Sequence, residues 1–506
     1  MAGSLLGMCA PGPAPFHDQW YLAWFALAPF FLLLSLSRSF IEAGVFGLAF
    51  GLGYNLVYLS WYLGLQPLDW LNFNSAQGWA MAGFAWVFAA THQALMVMIY
   101  AMVARLLPLA GTYLPVKVSG KWKLPALILL PLLWVLFMNK LGNASDLMGV
   151  PWPMIEYSQY KQSWFLQGAS IIGGVGLGFL LVLVNLNLAS LYATFNGKAH
   201  FKMLAAPNKS SALSHLFVSL LIVALITVLG ELDGAKCWKK ISNDVSIVQG
   251  NVNISMQKTK HRYSMEELES LFFDITKDAK PGLLIWTESS LPVVLNHQPD
   301  LVKKLSNLAR ERNCDMVVGA IDSFDSAKDD DKFNAAFGFK SNGEMAQEAY
   351  RKRYLVPFGE YAPPILNIFP FARSLTNTPA GKGLSAGRKP VIFKMSSGDV
   401  APLICFECIS PELTAASVKA GGQILVNISD LAWFHQSNVG DQMIAFSVMR
   451  AVENRRYLVF AANTGPSVIV DPLGKVHGKM KLDERKLVVG QAGFSNYLSP
   501  FTKWFR

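Results

Sequence analysis

Residues 400–413 read Val-Ala-Pro-Leu-Ile-Cys-Phe-Glu-Cys-Ile-Ser-Pro-Glu-Leu, an apolar run that stops at Cys405 and precedes a helix start. Ser410 is a typical N-cap residue and Pro411 a typical first residue of a helix. The pattern therefore predicts a turn from strand to helix with Cys405 at the break. α/β enzymes often present a nucleophile on such a turn, where neighbouring backbone N–H groups can bind an oxyanion. The alternative is a packed core residue, because free cysteine is among the most buried residue types.

The composition indicates that part of the chain lies in a membrane. Of its 506 residues, 52% are hydrophobic, and a mean hydropathy of +0.31 is high for a soluble protein. Residues 1–234 contain 10 Lys/Arg and 7 Asp/Glu, whereas the remainder contains 34 and 27. The second half is therefore the water-soluble one. Its modest positive excess, without an arginine-rich arm or zinc-finger spacing, favours an anionic membrane surface over nucleic acid as a neighbour.

Apolar segments of about 20 residues, the length that spans a bilayer, recur in the first half. The predicted spans are 20–36, 41–61, 79–106, 124–141, 165–192 and 212–230. Loops after the first, third and fifth spans carry eight basic residues: Arg38, Arg105, Lys117, Lys121, Lys123, Lys198, Lys202 and Lys209. The other loops carry two, Lys140 and Lys161. By the positive-inside rule, the chain after residue 230 lies outside the cytoplasm.

Short β-rich segments alternate with amphipathic helical segments in the second half. The predicted strands are 246–249, 283–286, 316–320, 335–340, 391–395, 401–404, 424–428, 458–462 and 468–470. The predicted helices are 265–276, 300–313, 412–420 and 439–455. This alternation predicts a layered α/β domain with its own core.

Several polar residues could join Cys405 at one end of a sheet. Glu288 follows a predicted strand as Cys405 does, and such strand ends converge on one crevice, where a carboxylate could act as a base. Residues 350–360 carry three successive cations into an apolar turn that ends in Glu360. The flanking aromatic residues suggest that one of these cations is buried, although basic runs are usually solvated. Glu407 lies two residues after Cys405.

Together these residues resemble the nitrilase (carbon–nitrogen hydrolase) superfamily, whose Glu-Lys-Cys triad lies on an α-β-β-α sandwich. Glu288, Lys352 and Cys405 take the three positions. Behind a multi-span membrane domain, the motifs are similar to those of the apolipoprotein N-acyltransferase family. The matching segments are Gln249-Gly-Asn251, Trp286-Thr-Glu288, residues 350–360, Cys405-Phe-Glu407 and Ala432-Trp-Phe434.

The resemblance implies transfer of an acyl chain from a phospholipid, phosphatidylethanolamine, to the N-terminal amine of a diacylglyceryl-cysteine apolipoprotein. It implies that Glu288 is the general base, Cys405 the nucleophile that becomes a thioester, and Lys352 the oxyanion stabiliser with the Phe406 N–H. Glu360 and Glu407 would be supporting carboxylates. Independently of the resemblance, Trp433 and Phe434 lie in a polar, glycine-containing segment, where such a pair would form a lid over acyl chains or, alternatively, pack into the core. Neither a cofactor nor a metal is expected, and the enzyme is expected to be a monomer.

The resemblance further implies a multi-pass protein of the bacterial inner membrane with a periplasmic catalytic domain. The predicted domains are a transmembrane domain at 1–234, a nitrilase-like domain at 235–495 and a tail at 496–506. Two spans common in the family are not evident: the first is reduced to residues 1–16, and the tail lacks the last. Lys258 stands where a tryptophan is common, and Asp430-Leu431 replaces the usual Asn-Asp. These differences bear on acyl-donor contacts and leave the triad intact.

Other functions fit some of the motifs. Cys405 and Cys408 form a C-x-x-C pair, as in thiol oxidoreductases, but a redox role leaves Glu288 and Lys352 unexplained. A zinc site would require two further ligands at suitable spacing. A membrane-anchored amidase would need one span rather than several. A transporter with a binding domain is disfavoured, because the spans lack the ionisable clusters that pumps carry.

Overall fold

The computed structural model describes residues 1–68, 73–141, 152–197, 200–201, 203–237, 243–252, 263–324, 332–357, 359–361 and 383–505. Lys198, Lys202 and Lys258 lie outside the described residues. The chain divides into two compact units. The first comprises Met1–Asp233 with Gln436–Ala445, and the second comprises Gly234–His435 with Phe446–Arg506.

The first unit is helical. Its helices are α1 (Ala2–Gly7), α2 (Ala28–Leu36), α3 (Phe40–Tyr58), α4 (Ser75–Leu106), α5 (Ala126–Val135), α6 (Ser163–Leu166), α7 (Ala169–Asn196) and α8 (Lys209–Cys237), the last turn of α8 belonging to the second unit. A small sheet contains β1 (Leu109–Ala110), β2 (Val116–Val118) and β3 (Lys121–Pro125). Helices α3, α4, α7 and α8 are long and apolar enough to cross a membrane, and the segments Trp20–Leu36 and Ala126–Leu141 are shorter. The predicted membrane domain is thus confirmed as a fold class.

Three predicted spans differ in detail from the observed helices, of which the fifth is divided between α6 and α7, with Gly173 in a non-helical conformation. The first is a 3-10 turn, Trp20–Trp24, followed by α2, because Pro29 fits only the first turn of a helix. Asn185 of α7 supports this break, since its Oδ1 accepts hydrogen bonds from Leu27 N and Ala28 N at 2.9 and 3.2 Å. The fourth span begins at Ala126, since the preceding residues form the β2–β3 hairpin.

The second unit contains two packed sheets. One has the strand order β16-β4-β5-β7-β8-β9, with β6 paired to β7, and the other has the order β10-β11-β12-β13-β14-β15. The strands of the first are β4 (Asn243–Gln249), β5 (Gly282–Trp286), β6 (Leu291–Val294), β7 (Cys314–Ser323), β8 (Lys332–Phe339), β9 (Tyr350–Arg351) and β16 (Lys486–Ala492). Those of the second are β10 (Phe393–Lys394), β11 (Asp399–Ile404), β12 (Ile424–Ser429), β13 (Leu458–Ala462), β14 (Val468–Val470) and β15 (Val476–His477).

Helices flank this pair of sheets. Helices α9 (Met265–Thr276) and α10 (Pro299–Arg312) place Phe272 and Leu305 in one buried cluster with Trp286 and Met316 of the first sheet. Helix α11 (Pro411–Lys419) packs on β11 and β12 of the other sheet, and the remaining helices are α12 (Val439–Asn454) and α13 (Pro500–Trp504). The predicted α-β-β-α sandwich is therefore confirmed. Burying apolar faces on both sides of each sheet gives the unit its core.

The strand register brings the polar loops together. In the second sheet, β11, β12 and β13 are parallel, and Ile404 pairs with Ile428 while Ser429 pairs with Ala462. In the first sheet, β4, β5 and β7 are parallel in the same manner. The loops after parallel neighbours leave from one edge, as expected for the predicted crevice. The predicted strands and helices are present with small shifts, whereas β6, β9, β15 and β16 were not predicted.

Candidate active site

Cys405 lies at a strained turn immediately after β11. Its φ is +55°, a left-handed conformation that side chains with a Cβ rarely adopt. A 3-10 turn, Cys405–Ile409, follows, and α11 then begins with Ser410 as N-cap, accepting a hydrogen bond from Leu413 N at 3.1 Å. Asn427 of β12 donates to the Cys405 carbonyl at 3.1 Å. The predicted strand-to-helix turn is confirmed, and the thiol is held at its first position.

Glu288 follows β5 on the facing sheet. A side chain on Gly319 of the neighbouring β7 would come within 2.3 Å of the Thr287 carbonyl and 2.8 Å of the Glu288 Cα. Glycine at 319 therefore permits the close approach that fixes this loop. Ser290 adds a hydrogen bond to the Gly319 carbonyl at 3.0 Å. The Glu288 side chain is nearly buried, at 6% exposure, so that its charge is poorly screened by water.

Lys352 lies between two carboxylates and is buried. Its Nζ is 2.9 Å from the carboxylate of Glu360 and 3.4 Å from Oε1 of Glu288. Asn334 of β8 joins the same group, since its Nδ2 donates to both carboxylates, at 2.7 Å to Glu288 and 2.8 Å to Glu360. Glu360 is the closer ion-pair partner of the ammonium. One positive charge for two carboxylates leaves a net negative charge beside the thiol.

Electrostatics keeps the lysine charged and the thiol protonated at rest. Burial opposes the charge of Lys352, but Glu288 and Glu360 more than offset it and hold the pKa of the ammonium above its ordinary value. Burial, followed by the negative charge of Glu288, raises the pKa of the Cys405 thiol well above its ordinary value, against the opposing effect of Lys352. The thiol therefore requires a base to become a nucleophile, and Glu288 is the carboxylate with the largest effect on its pKa.

Glu407 connects the turn at Cys405 to the segment that carries Lys352. Its Oε2 accepts hydrogen bonds from Ile404 N at 2.8 Å and from the Tyr350 hydroxyl at 2.7 Å. Its Oε1 accepts from the backbone N–H groups of Arg353 at 2.6 Å and Tyr354 at 3.2 Å. Burial raises the pKa of Glu407, although these hydrogen bonds lower it in part. Through these hydrogen bonds, Glu407 connects the two sheets and holds the segment that carries Lys352 against the turn at Cys405.

The aromatic residues predicted to contact substrate form a short 3-10 turn, Ala432–Phe434, after β12. Trp433 is 38% exposed, and the ring of Phe434 lies 5.9 Å, between centroids, from that of Phe406. Exposure of Trp433 is inconsistent with packing of both rings in the core. Phe406 itself is the residue directly after the thiol, as an oxyanion-binding N–H would require.

Three residues of this cluster were missed at the sequence level. Asn334 carries a weak signal, because it is a polar residue among the otherwise apolar and buried residues 333–339 of its strand. Tyr350 stands out in the sequence only as an aromatic residue beside the three cations, because its hydroxyl contact with Glu407 has no local signature. Asp430 was noted as a departure from the family motif, and its position beside Glu288 depends on pairing between distant segments.

The two cysteines of the C-x-x-C pair face different groups. Both are free thiols. Burial raises the pKa of Cys408 to about 12, with Ser447 and Arg450 of α12 as its polar neighbours. The neighbours of Cys405 are instead Glu288, Lys352 and Glu360. The arrangement favours a single nucleophile over a redox pair.

Comparison with known proteins agrees with this architecture. Residues 3–187 match the apolipoprotein N-acyltransferase N-terminal domain, and residues 245–495 match the carbon-nitrogen hydrolase family. The chain is 32% identical to the apolipoprotein N-acyltransferase of Geobacter metallireducens over 97% of its own length and 88% of that protein. It is 30% identical to the Rickettsia prowazekii protein of the same name, over 71% of this chain and 68% of the relative. The chain therefore belongs to the apolipoprotein N-acyltransferase family and is a membrane acyltransferase.

Proposed function

We propose that this enzyme transfers an acyl chain from a phospholipid, phosphatidylethanolamine in particular, to the N-terminal amine of a diacylglyceryl-cysteine apolipoprotein through a thioester on Cys405. The observation that carries the proposal is the buried ammonium of Lys352, held between Glu288 and Glu360 beside a buried thiol. Such a group stabilises an oxyanion, while Glu288 remains free to accept a proton. The names of the relatives support the acceptor.

In the first half-reaction, Cys405 Sγ attacks the ester carbonyl carbon and its proton passes to Glu288. The resulting oxyanion is stabilised by the Lys352 ammonium and the Phe406 N–H. Collapse breaks the ester C–O bond, and the leaving glycerol oxygen takes the proton from Glu288. The products are a lysophospholipid and an acyl thioester on Cys405.

In the second half-reaction, the α-amine of the apolipoprotein attacks the thioester carbonyl and transfers a proton to Glu288. Lys352 again stabilises the oxyanion, the C–S bond breaks, and the sulfur recovers the proton. Glu360 and Asn334 position the Glu288 carboxylate and the Lys352 ammonium relative to each other. Glu407 holds the turn at Cys405. All of these groups belong to one polypeptide, and we propose that the enzyme acts as a monomer.

The experiment is a separation of the two half-reactions. Full-length protein in detergent is incubated with acyl-labelled phosphatidylethanolamine, and the peptide containing Cys405 is analysed by mass spectrometry. We expect a gain of one acyl mass that is lost on adding a diacylated lipopeptide with a free N-terminus. An N-acetylated lipopeptide, the matched control, should leave the adduct intact. Acyl transfer without any adduct on Cys405 would overturn the proposed mechanism.

We also propose that the catalytic domain faces the periplasm and that the enzyme lies in the inner membrane, on the strength of the basic loops predicted to be cytoplasmic. All five native cysteines are buried, so an introduced cysteine can be labelled over a low background. An impermeant reagent should label a cysteine at Ser326, outside the described residues, in intact spheroplasts, and should not label one at Ser119. The reverse pattern would contradict this topology.

A further inference from the structure

A second buried carboxyl group lies beside the proposed general base, and the two half-reactions above leave it without a role. Asp430 follows β12, and its side chain is 6% exposed. Its own backbone N–H donates to Glu288 Oε2 at 2.7 Å. Residue 430 therefore orients the base from the sheet that carries Cys405, while Asn334 and Lys352 contact the other oxygen of Glu288.

The Asp430 side chain also connects this contact to the aromatic turn. Its Oδ1 accepts hydrogen bonds from Ala432 N at 3.0 Å and from Asn463 Nδ2 at 3.2 Å. The first bond caps the turn Ala432–Phe434, as aspartate commonly does two residues ahead of a turn. Asn463 in turn exchanges two hydrogen bonds with Val252 after β4, at 2.7 and 3.0 Å. Asp430 is thus fixed on several sides.

The charged neighbour of the Asp430 carboxyl is Glu288. Burial, and to a lesser extent Glu288, raise the pKa of Asp430 to about 7, against the hydrogen bonds from Ala432 and Asn463. Among the described residues, Glu288 is the charged group whose field reaches this carboxyl. The charged groups with the largest effects on the Cys405 thiol are instead Glu288, Lys352 and Glu360. The charge on Asp430, whose backbone N–H contacts Glu288, therefore acts more strongly on the proposed base than on the thiol.

This asymmetry has a chemical effect. When the thiol proton moves to Glu288, the negative charge leaves the neighbourhood of Asp430 and appears on sulfur, near Lys352. With Asp430 ionised, that step relieves repulsion between two adjacent carboxylates, whereas with Asp430 protonated there is nothing to relieve. Ionised Asp430 should therefore favour the reactive thiolate.

Resting on the proposed function, we propose that Asp430 is a positioning residue whose ionised carboxylate promotes proton transfer from Cys405 to Glu288 and so sets the pH dependence of Cys405 acylation. Asp430→Asn is the informative variant, because an amide oxygen can still accept the hydrogen bonds from Ala432 and Asn463 while the charge is lost. Asp278→Asn removes an exposed carboxylate of the same unit and serves as its control.

The test is the single-turnover rate of Cys405 acylation by phosphatidylethanolamine between pH 5.5 and 9. In wild type and in Asp278→Asn, the rate should rise through about pH 7. Asp430→Asn should lack that rise and stay near the low-pH rate, about tenfold below wild type at pH 8.5, the effect of one pKa unit of interaction. If the acylation rate of Asp430→Asn rises with pH as in wild type, or is lower by the same factor at every pH, the role of Asp430 is contradicted. The proposed function would be unaffected by either result. Absence of any acyl adduct in wild type would overturn the proposed function and this inference with it.

A second measurement does not depend on activity. Because the pKa of Asp430 is higher in the folded protein, at about 7, than its ordinary 3.8, the folded state binds the proton more tightly. Wild-type stability should therefore fall as pH rises between these two values and remain lower above them. The melting temperature of Asp430→Asn relative to wild type should increase over that range and then level off. A difference that does not vary with pH would indicate a purely structural role and contradict the inference.

Discussion

Cys405 and Cys408 belong to the same 3-10 turn, but they lie in two buried polar clusters of different character. Around Cys405, an ammonium is shared by two carboxylates, and the backbone is strained. Around Cys408, Arg450 forms a buried ion pair with Glu453 at 3.0 Å and donates to the Ile409 carbonyl at 3.2 Å. The first cluster carries unequal charges and can move a proton. The second contains a buried ion pair within α12, and Arg450 connects that helix to the turn through the Ile409 carbonyl.

The largest expected difference between the clusters concerns the two thiols. Cys405→Ala should abolish acyl-adduct formation from phospholipid, because Cys405 is the thiol whose charged neighbours are Glu288 and Lys352. Cys408→Ala should form the adduct at nearly the wild-type rate. Intact-protein mass spectrometry, with melting temperature as the measure of folding, distinguishes the two. Loss of the adduct in a well-folded Cys408→Ala would mean that the wrong cysteine has been assigned.

The second prediction removes the ammonium from the first cluster. Lys352→Ala should slow acylation by a factor on the order of a hundred to a thousand, as expected for loss of an oxyanion-stabilising donor. Arg351→Ala is the adjacent control, because Arg351 pairs with Asp322 at 2.6 Å and stacks on Phe324 at 3.7 Å. Its effect on the rate should be mild, as should that of Arg353→Ala. Single-turnover kinetics provides the measurement, and an essential Arg353 beside a dispensable Lys352 would contradict the assignment.

The third prediction concerns the second cluster and affects stability rather than chemistry. Arg450→Met removes the cation of the buried ion pair with Glu453, which should destabilise the protein by about 3–5 kcal/mol. The double variant Arg450→Met/Glu453→Leu should recover much of that loss, since neither charge then remains. Thermal denaturation measures both, and acylation per folded molecule should be unchanged. A slowed reaction in the folded fraction would show that the two clusters are coupled.

The smallest expected effect is at the rim of the first cluster. Trp433→Ala should slow acylation by long-chain phospholipid about tenfold, roughly what loss of an aromatic contact of one to two kcal/mol produces. A short-chain donor should be affected less. Because Trp433 is exposed, the melting temperature should stay close to that of wild type. A drop of several degrees with unchanged turnover per folded molecule would instead indicate a core residue.

These clusters also show which parts of the site could be predicted from sequence. The turn at Cys405 depends on local signals, an apolar strand followed by Ser410 and Pro411, and the structure has all three as predicted. Glu288 carries only the signal of a predicted strand end, and Lys352 is one of three successive cations, so the resemblance of whole segments is what assigns their roles. Local sequence signals therefore predict the strand-to-helix turn at Cys405, whereas the order of the motifs along the chain identifies Glu288 and Lys352 as its partners.

What could not be predicted depends on long-range pairing. Asn334 lies in the middle of β8, and its two carboxylate partners are 46 and 26 residues away. The strand β16 pairs with β4 across more than two hundred residues, and its central Gly490 weakens the strand signal. The hairpin β2–β3 is not evident from the sequence, because the apolar segment that follows it extends the predicted span back to residue 124. In each case the information lies in contacts rather than in periodicity.

The left-handed backbone at Cys405 has a further consequence for how this enzyme tolerates change. Non-glycine residues with positive φ also follow the base, at Ser289, and the aromatic turn, at His435. At an ordinary buried position, glycine is less stable than alanine by about 0.5–1 kcal/mol, but the order reverses where the backbone is left-handed. Cys405→Gly should therefore melt at a higher temperature than Cys405→Ala. The proposed nucleophile thus lies where a residue without a Cβ would be more stable, a cost in stability that a role in catalysis would explain.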